Sequence, residues 1–203
     1  MARRDGGAHL SRVNLAWYAA YGSNTDEGRF RRYLTGCRAP VEPIDSRPLV
    51  IDLPLYFAER RSRTWGVGGV AFAGPDRDDE PSTLARAWLL PAPRIAEIGA
   101  QENGLPLDAA ALDPDGGDQV AFPDRWYDVW RRCGALEGHP VFTLTSSSSR
   151  TPCTTPGRPY AATVAAGLRH THGLSPAATA AYLATRTNLP VATLMAWQGA
   201  GNG

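Results

Sequence analysis

Lysine is missing from this chain. All 21 basic residues are arginine, which removes Schiff-base catalysis and the phosphate-gripping lysine of a P-loop. The arginines are scattered and face 20 acidic residues, leaving a net charge of +1. No strong field draws in nucleic acid or anionic lipid. Cysteine is scarce: Cys37, Cys133 and Cys153 are an odd number with no CxxC pair. They read as cytosolic thiols, without a disulfide frame or zinc site. Long apolar runs are absent too, none approaching the roughly 18 residues of a membrane span. The opening MARRDGGAHLSRVN has no apolar core behind its arginines, unlike a secretory signal. The expectation is a cytoplasmic chain that partners neither nucleic acid nor membrane. Its 203 residues suffice for one sizeable core.

What is present is a mixture of strand and helix patterns without internal repeats. Residues 1–13 read as a flexible arm. Leu15–Tyr21 alternates as a strand, and Thr25–Leu34 follows as a helix with acids in its first turn and arginines near its end. A strand at LPLYFAE leads through a charged loop, Glu59–Arg63, to a glycine-rich strand, Val67–Ala73. A polar turn, PDRDDEPS, precedes a strand over Leu84–Leu90. RIAEIGAQENGL then has helical spacing. RWYDVWRRCGALEGHPVFTLTS reads as two strands about a turn at Glu137–Gly138. SSSSRTPCTTPGRP is a low-complexity loop, exposed or draped over a site. Tyr160–His170 reads as a helix, Ser175–Pro176 starts another, and a short helix and frayed tail finish the chain. The strands look largely antiparallel and barrel-like, the class α+β. The expected division is an arm to residue 13, a domain over 14–172 and a C-terminal helical extension over 173–203.

Two stretches carry chemistry. At YGSN, Tyr21 to Asn24, small polar residues occupy a strand-to-helix junction. Amides of Gly22, Ser23 and Asn24 exposed there can hold an anion or developing oxyanion, and Gly22 permits close backbone approach. The plainer alternative makes Ser23 or Asn24 an N-cap. Glu102 ends the helix RIAEIGAQENG, closed by Asn103 and Gly104. Beside Ile98 and Leu105 it is a candidate base; the plainer alternative is a solvated helix-end carboxylate. His170 with His172, and Glu137 with His139, lack a third metal ligand at recognised spacing. Cys153 has no histidine tied to it by a signature, and Ser23 lacks a G-x-S-x-G elbow. Trp65, Trp88, Trp126 and Trp130 read as core and strand-pair residues.

Together these stretches resemble the gamma-glutamylcyclotransferase-like family, which includes the AIG2-like proteins. The resemblance rests on Tyr21-Gly22-Ser23-Asn24, on Arg29 in the following helix, and on LPLYFAERRSRTWGVGGVAF. It continues through ARAWLLPAPRIAEIGAQEN, with Glu102 at the family's catalytic glutamate, and VFTLT. It ends at Pro156, Gly157 and Tyr160 of PGRPY, running in order from about Trp17 to Gly167. Departures are Thr25 after YGSN, Asn103 directly after the glutamate, and Gly157 at a position usually serine. Asn24 also sets the motif apart from the glutathione-degrading branch.

The resemblance implies a mixed β-barrel with flanking helices. It implies an enzyme that needs no cofactor or metal and takes a small-molecule γ-glutamyl substrate. The substrate's own α-amine attacks its γ-carbonyl, releasing 5-oxoproline and an amine or amino acid. Glu102 would serve as general acid and base, the amides of Gly22–Asn24 would hold the α-carboxylate or oxyanion, and Tyr160 would close the pocket with its hydroxyl. Two alternatives remain: an amide hydrolase or acyltransferase on a γ-glutamyl-like metabolite, and a non-catalytic binding protein.

Overall fold

The computed structural model describes residues 14–59, 62, 64–74, 82–109 and 111–199. The expected arm over 1–13, most of the polar turn after residue 74, most of the charged loop at 59–63 and the tail beyond 199 lie outside the described residues.

Six strands form one mixed sheet in the order β2-β5-β1-β8-β7-β6. They are β1 (Leu15–Ala20), β2 (Asp45–Ile51), β5 (Thr83–Pro91), β6 (Gln119–Val120), β7 (Val129–Leu136) and β8 (His139–Thr145). The first strand is central, antiparallel to β5 and parallel to β8. It is buried along almost its whole length, as expected for a strand covered on both faces. Against it lie α1 (Glu27–Thr35) and α2 (Ala92–Glu102). Tyr18 of β1 stacks on Phe30 of α1, and Phe30 stacks on Trp88 of β5 at 4.7 Å. Fully buried aromatics of this size each stabilise by about 1.5–3 kcal/mol.

The sequence pattern passed over β2. Its DSRPLVI contains Pro48, which argues against a central strand. The structure places β2 at the sheet edge, paired only with β5, where a missing N–H is tolerated.

The expected barrel is also corrected. The remaining strands, β3 (Leu55–Glu59) and β4 (Gly69–Ala73), form a separate antiparallel hairpin, and no closed barrel forms among the described residues. Along the other edge of β4, Gly69 N donates to Thr155 O of the loop, and side chains satisfy Ala71 and Ala73. Tyr160 Oη accepts from Ala71 N, Tyr127 Oη donates to Ala71 O, and Thr145 Oγ1 accepts from Ala73 N and donates to Ala73 O, all at 2.8–3.1 Å. With those groups paired, the edge has no demand for another strand. The low-complexity loop runs beside this hairpin, with single bridges between Ala58 and Cys153 and between Gly69 and Pro156.

Three helices complete the fold: α3 (Arg158–His172), α4 (Pro176–Thr187) and α5 (Val191–Gly199). Ser175 caps α4 by accepting from Ala178 N. Ala180, Leu183 and Leu194 of the last two helices join the same apolar core as the sheet. No helix among the described residues is long and apolar enough to cross a membrane.

Candidate active site

The junction YGSN folds as a tight turn after β1. Tyr21 is buried and donates its hydroxyl to Leu144 O at 2.9 Å. Residues Ser23–Thr25 form one 3-10 turn, closed by Thr25 N to Gly22 O and Asp26 N to Ser23 O. Asp26 then caps α1, its carboxylate accepting from Arg29 N at 2.8 Å. Neither Ser23 nor Asn24 therefore acts as the N-cap. The N–H groups of Gly22, Ser23 and Asn24 meet no acceptor among the described residues, and all three residues line a cavity of about 400 Å³.

Gly22 has φ −102°, so its backbone does not demand glycine for a left-handed conformation. Steric space does. A Cβ there would sit 2.7 Å from Tyr160 Oη and 3.4 Å from the Ala71 side chain.

Glu102 is the last residue of α2. The following residues wrap the helix end as a Schellman motif: Gly104 N bonds Gln101 O, Leu105 N bonds Ala100 O, and Gly104 takes φ 65°. Asn103 keeps an ordinary φ of −93°. Its side-chain amide donates to Gly99 O and Tyr127 O at 3.1 and 2.8 Å, tying the helix end to the Tyr127 wall. Glu102 itself faces the turn. Asn24 Nδ2 donates to its Oε1 at 2.6 Å, joining residues 78 apart in sequence.

Two tyrosines missed by the sequence reading flank this carboxylate. Burial first, then the negative charge of Glu102, raises the pKa of both Tyr18 and Tyr33. The nearby Arg29 guanidinium pulls the Tyr33 pKa the other way. Both phenols stay protonated near neutral pH. Tyr33 and Arg29 are four residues apart on α1, hence on one helical face, and this spacing was the available signal.

The cavity thus gathers Tyr21, Gly22, Ser23, Asn24, Glu102 and Tyr160, with Tyr18, Arg29, Tyr33, Trp65 and Tyr127 beside them. Tyr160 is buried and its hydroxyl is already engaged with β4. Trp65 corrects an expectation. It lies in the turn Ser62–Gly66 against the Tyr160 ring at 5.1 Å and on the cavity wall, whereas Trp88 and Trp130 are core and Trp126 is exposed. His172 contacts Ala85 O away from the cavity. Among the described residues no three His, Cys, Asp or Glu side chains gather as a metal site.

No family model matches the chain. Histone deacetylase 5 of Arabidopsis thaliana is 28% identical over 214 aligned residues, covering 91% of this chain and 32% of that protein. The chain therefore spans less than two thirds of the length of this curated relative. Among solved structures, an uncharacterised protein from Homo sapiens has a TM-score of 0.53 at 16% identity, covering 90% of this chain and 99% of that one. A gamma-glutamyl cyclotransferase has a TM-score of 0.48 at 16% identity, covering 77% of this chain and 80% of that one. The human protein shares the fold.

Proposed function

We propose that this protein is a γ-glutamyl cyclotransferase, releasing 5-oxoproline and an amine or amino acid from a γ-glutamyl amide. The observation that carries this reading is the meeting of Glu102 with the YGSN turn in one cavity. Cyclisation needs a base beside the α-amine and donors within one glutamyl length, since one small group must satisfy both. The ordered sequence resemblance supports the same reading.

Glu102 takes a proton from the substrate ammonium. The freed nitrogen attacks the γ-carbonyl carbon, forming the ring C–N bond, and the carbonyl oxygen gathers negative charge facing amide donors. The intermediate collapses by breaking the C–N bond to the leaving group. Of the ammonium's three protons the lactam nitrogen keeps one. The other two pass by way of Glu102 to the departing nitrogen, which leaves as an ammonium. The nucleophile is the substrate's own amine, so neither water nor a protein nucleophile such as Ser23 or Cys153 has a role in this reaction. Asn24 holds one carboxylate oxygen and so orients the group for proton transfer.

Incubation with a panel of γ-glutamyl amino acids and amines, with mass detection of 5-oxoproline, tests the reaction. Glu102→Gln is expected to lower kcat by about two to four orders of magnitude with an unchanged circular dichroism spectrum. Free glutamate as the product would favour a hydrolase. Wild-type kcat in the Gln variant would remove Glu102 from the mechanism.

A further inference from the structure

Arg29 sits half-buried on the wall of the same cavity. Its Nη2 donates to Tyr33 Oη at 2.9 Å. The guanidinium carbon lies 4.8 Å from the Tyr33 ring centre and 5.3 Å from that of Trp65. Arg86, Arg94, Arg131 and Arg150 each meet a protein carboxylate. Arg29 forms no ion pair among the described residues. A planar cation held near two rings on the wall of a polar cavity is prepared for an anion brought by the ligand.

We propose that Arg29 is the substrate-binding residue for the glutamyl α-carboxylate, leaving the amides of Gly22–Asn24 to the γ-carbonyl oxygen. This assignment rests on the cyclotransferase reading for the identity of the ligand. The argument is one of distance. In a glutamyl group the α-amine and α-carboxylate share one carbon, so the group that holds the carboxylate must lie beside the base. Arg29 contacts the hydroxyl of Tyr33, and Arg29, Tyr33 and Glu102 line the same cavity. Arg29 therefore shares the cavity with the base, with the Tyr33 phenol on the same wall. The YGSN turn approaches Glu102 through Asn24 instead. Two anion-attracting features then take two different oxygens, and the ring-closing geometry is fixed at both ends. The substrate class follows: γ-glutamyl compounds with a free α-carboxylate, not their α-amides or esters.

The experiment is calorimetric titration of the full chain with 5-oxoproline, with its carboxamide and with 2-pyrrolidone, the same ring without a carboxylate. The wild type is expected to bind 5-oxoproline at least about tenfold more tightly than either neutral lactam, the scale of a charge-assisted bidentate contact. Arg29→Met should abolish that preference and Arg29→Lys restore part of it. Should Arg29→Met fold poorly, Arg29→Gln, which keeps a donor toward Tyr33 but no charge, is expected to lose the preference in the same way, and a folded Gln variant that keeps it overturns the assignment. Equal binding of all three lactams by the wild type overturns the assignment, as does a folded Arg29→Met that keeps the preference. If the preference depends on Arg29 but no γ-glutamyl substrate yields 5-oxoproline, carboxylate recognition stands and the cyclotransferase reading falls.

Discussion

Gly22 and Tyr160 illustrate how one atom can decide a residue. The place a Cβ would occupy at Gly22 lies 2.7 Å from Tyr160 Oη, and that oxygen is held by Ala71 N. Gly22→Ala is expected to cost about 1–3 kcal/mol, as overpacking of a fitted contact does. Tyr160→Phe removes the clashing oxygen but strands the Ala71 amide, costing about 1–3 kcal/mol by itself. It should also weaken kcat or KM roughly tenfold if the hydroxyl reaches substrate. The two losses share one atom, so Gly22→Ala/Tyr160→Phe should be more stable than the sum of the single losses. Urea unfolding of the four proteins checks this; strict additivity would show that the Cβ finds room elsewhere.

At the scale of elements, the site depends on how two helices end. The first helix begins at Asp26 and so presents Arg29 and Tyr33 one turn apart on the cavity side. The second stops at Glu102 because Gly104 adopts a left-handed conformation and Asn103 is pinned to Gly99 and Tyr127. Asn103 stands where the family resemblance implies glycine, yet its φ needs none. Asn103→Gly should therefore lower stability by about 1–3 kcal/mol, through lost hydrogen bonds and the greater backbone entropy of glycine. KM should rise as the Tyr127 wall loosens. A variant as stable as the wild type, with unchanged KM, would show that this tie is dispensable.

Across the whole molecule, α3 locks onto the sheet through His172, whose Nε2 contacts Ala85 O at 3.0 Å. Burial lowers the pKa of this imidazole, and its backbone hydrogen bond opposes that shift. The folded protein thus releases the His172 proton more readily than the unfolded chain, whose histidine titrates near about 6.5. The unfolded state binds more protons between the two pKa values, so stability rises with pH through that window and is lost as pH falls below about 6.5. Replacing His172 with Gln should flatten the dependence of Tm on pH between about 7.5 and 5. An unchanged slope would assign the acid sensitivity to other groups. Glu27 is one, because hydrogen bonding to Arg31 outweighs burial and, with Arg86, keeps its pKa below the usual carboxylate range.

The sequence by itself determined the order of most elements, since period, caps and turn residues are local. It marked YGSN and Glu102 because small residues at a junction and a carboxylate at a helix end are visible in one dimension. Tyr33, Tyr18 and Trp65 carried no comparable local signature, since an aromatic residue reads alike on a cavity wall and in a core. Only tertiary structure brought Asn24 to Glu102. It also left the sheet open, because hydroxyls of Tyr127, Thr145 and Tyr160 satisfy the edge of β4, and their partners lie 56 to 89 residues away. Pattern and propensity act over a few neighbours, whereas pairing of a buried polar group is settled by whichever distant side chain the fold delivers.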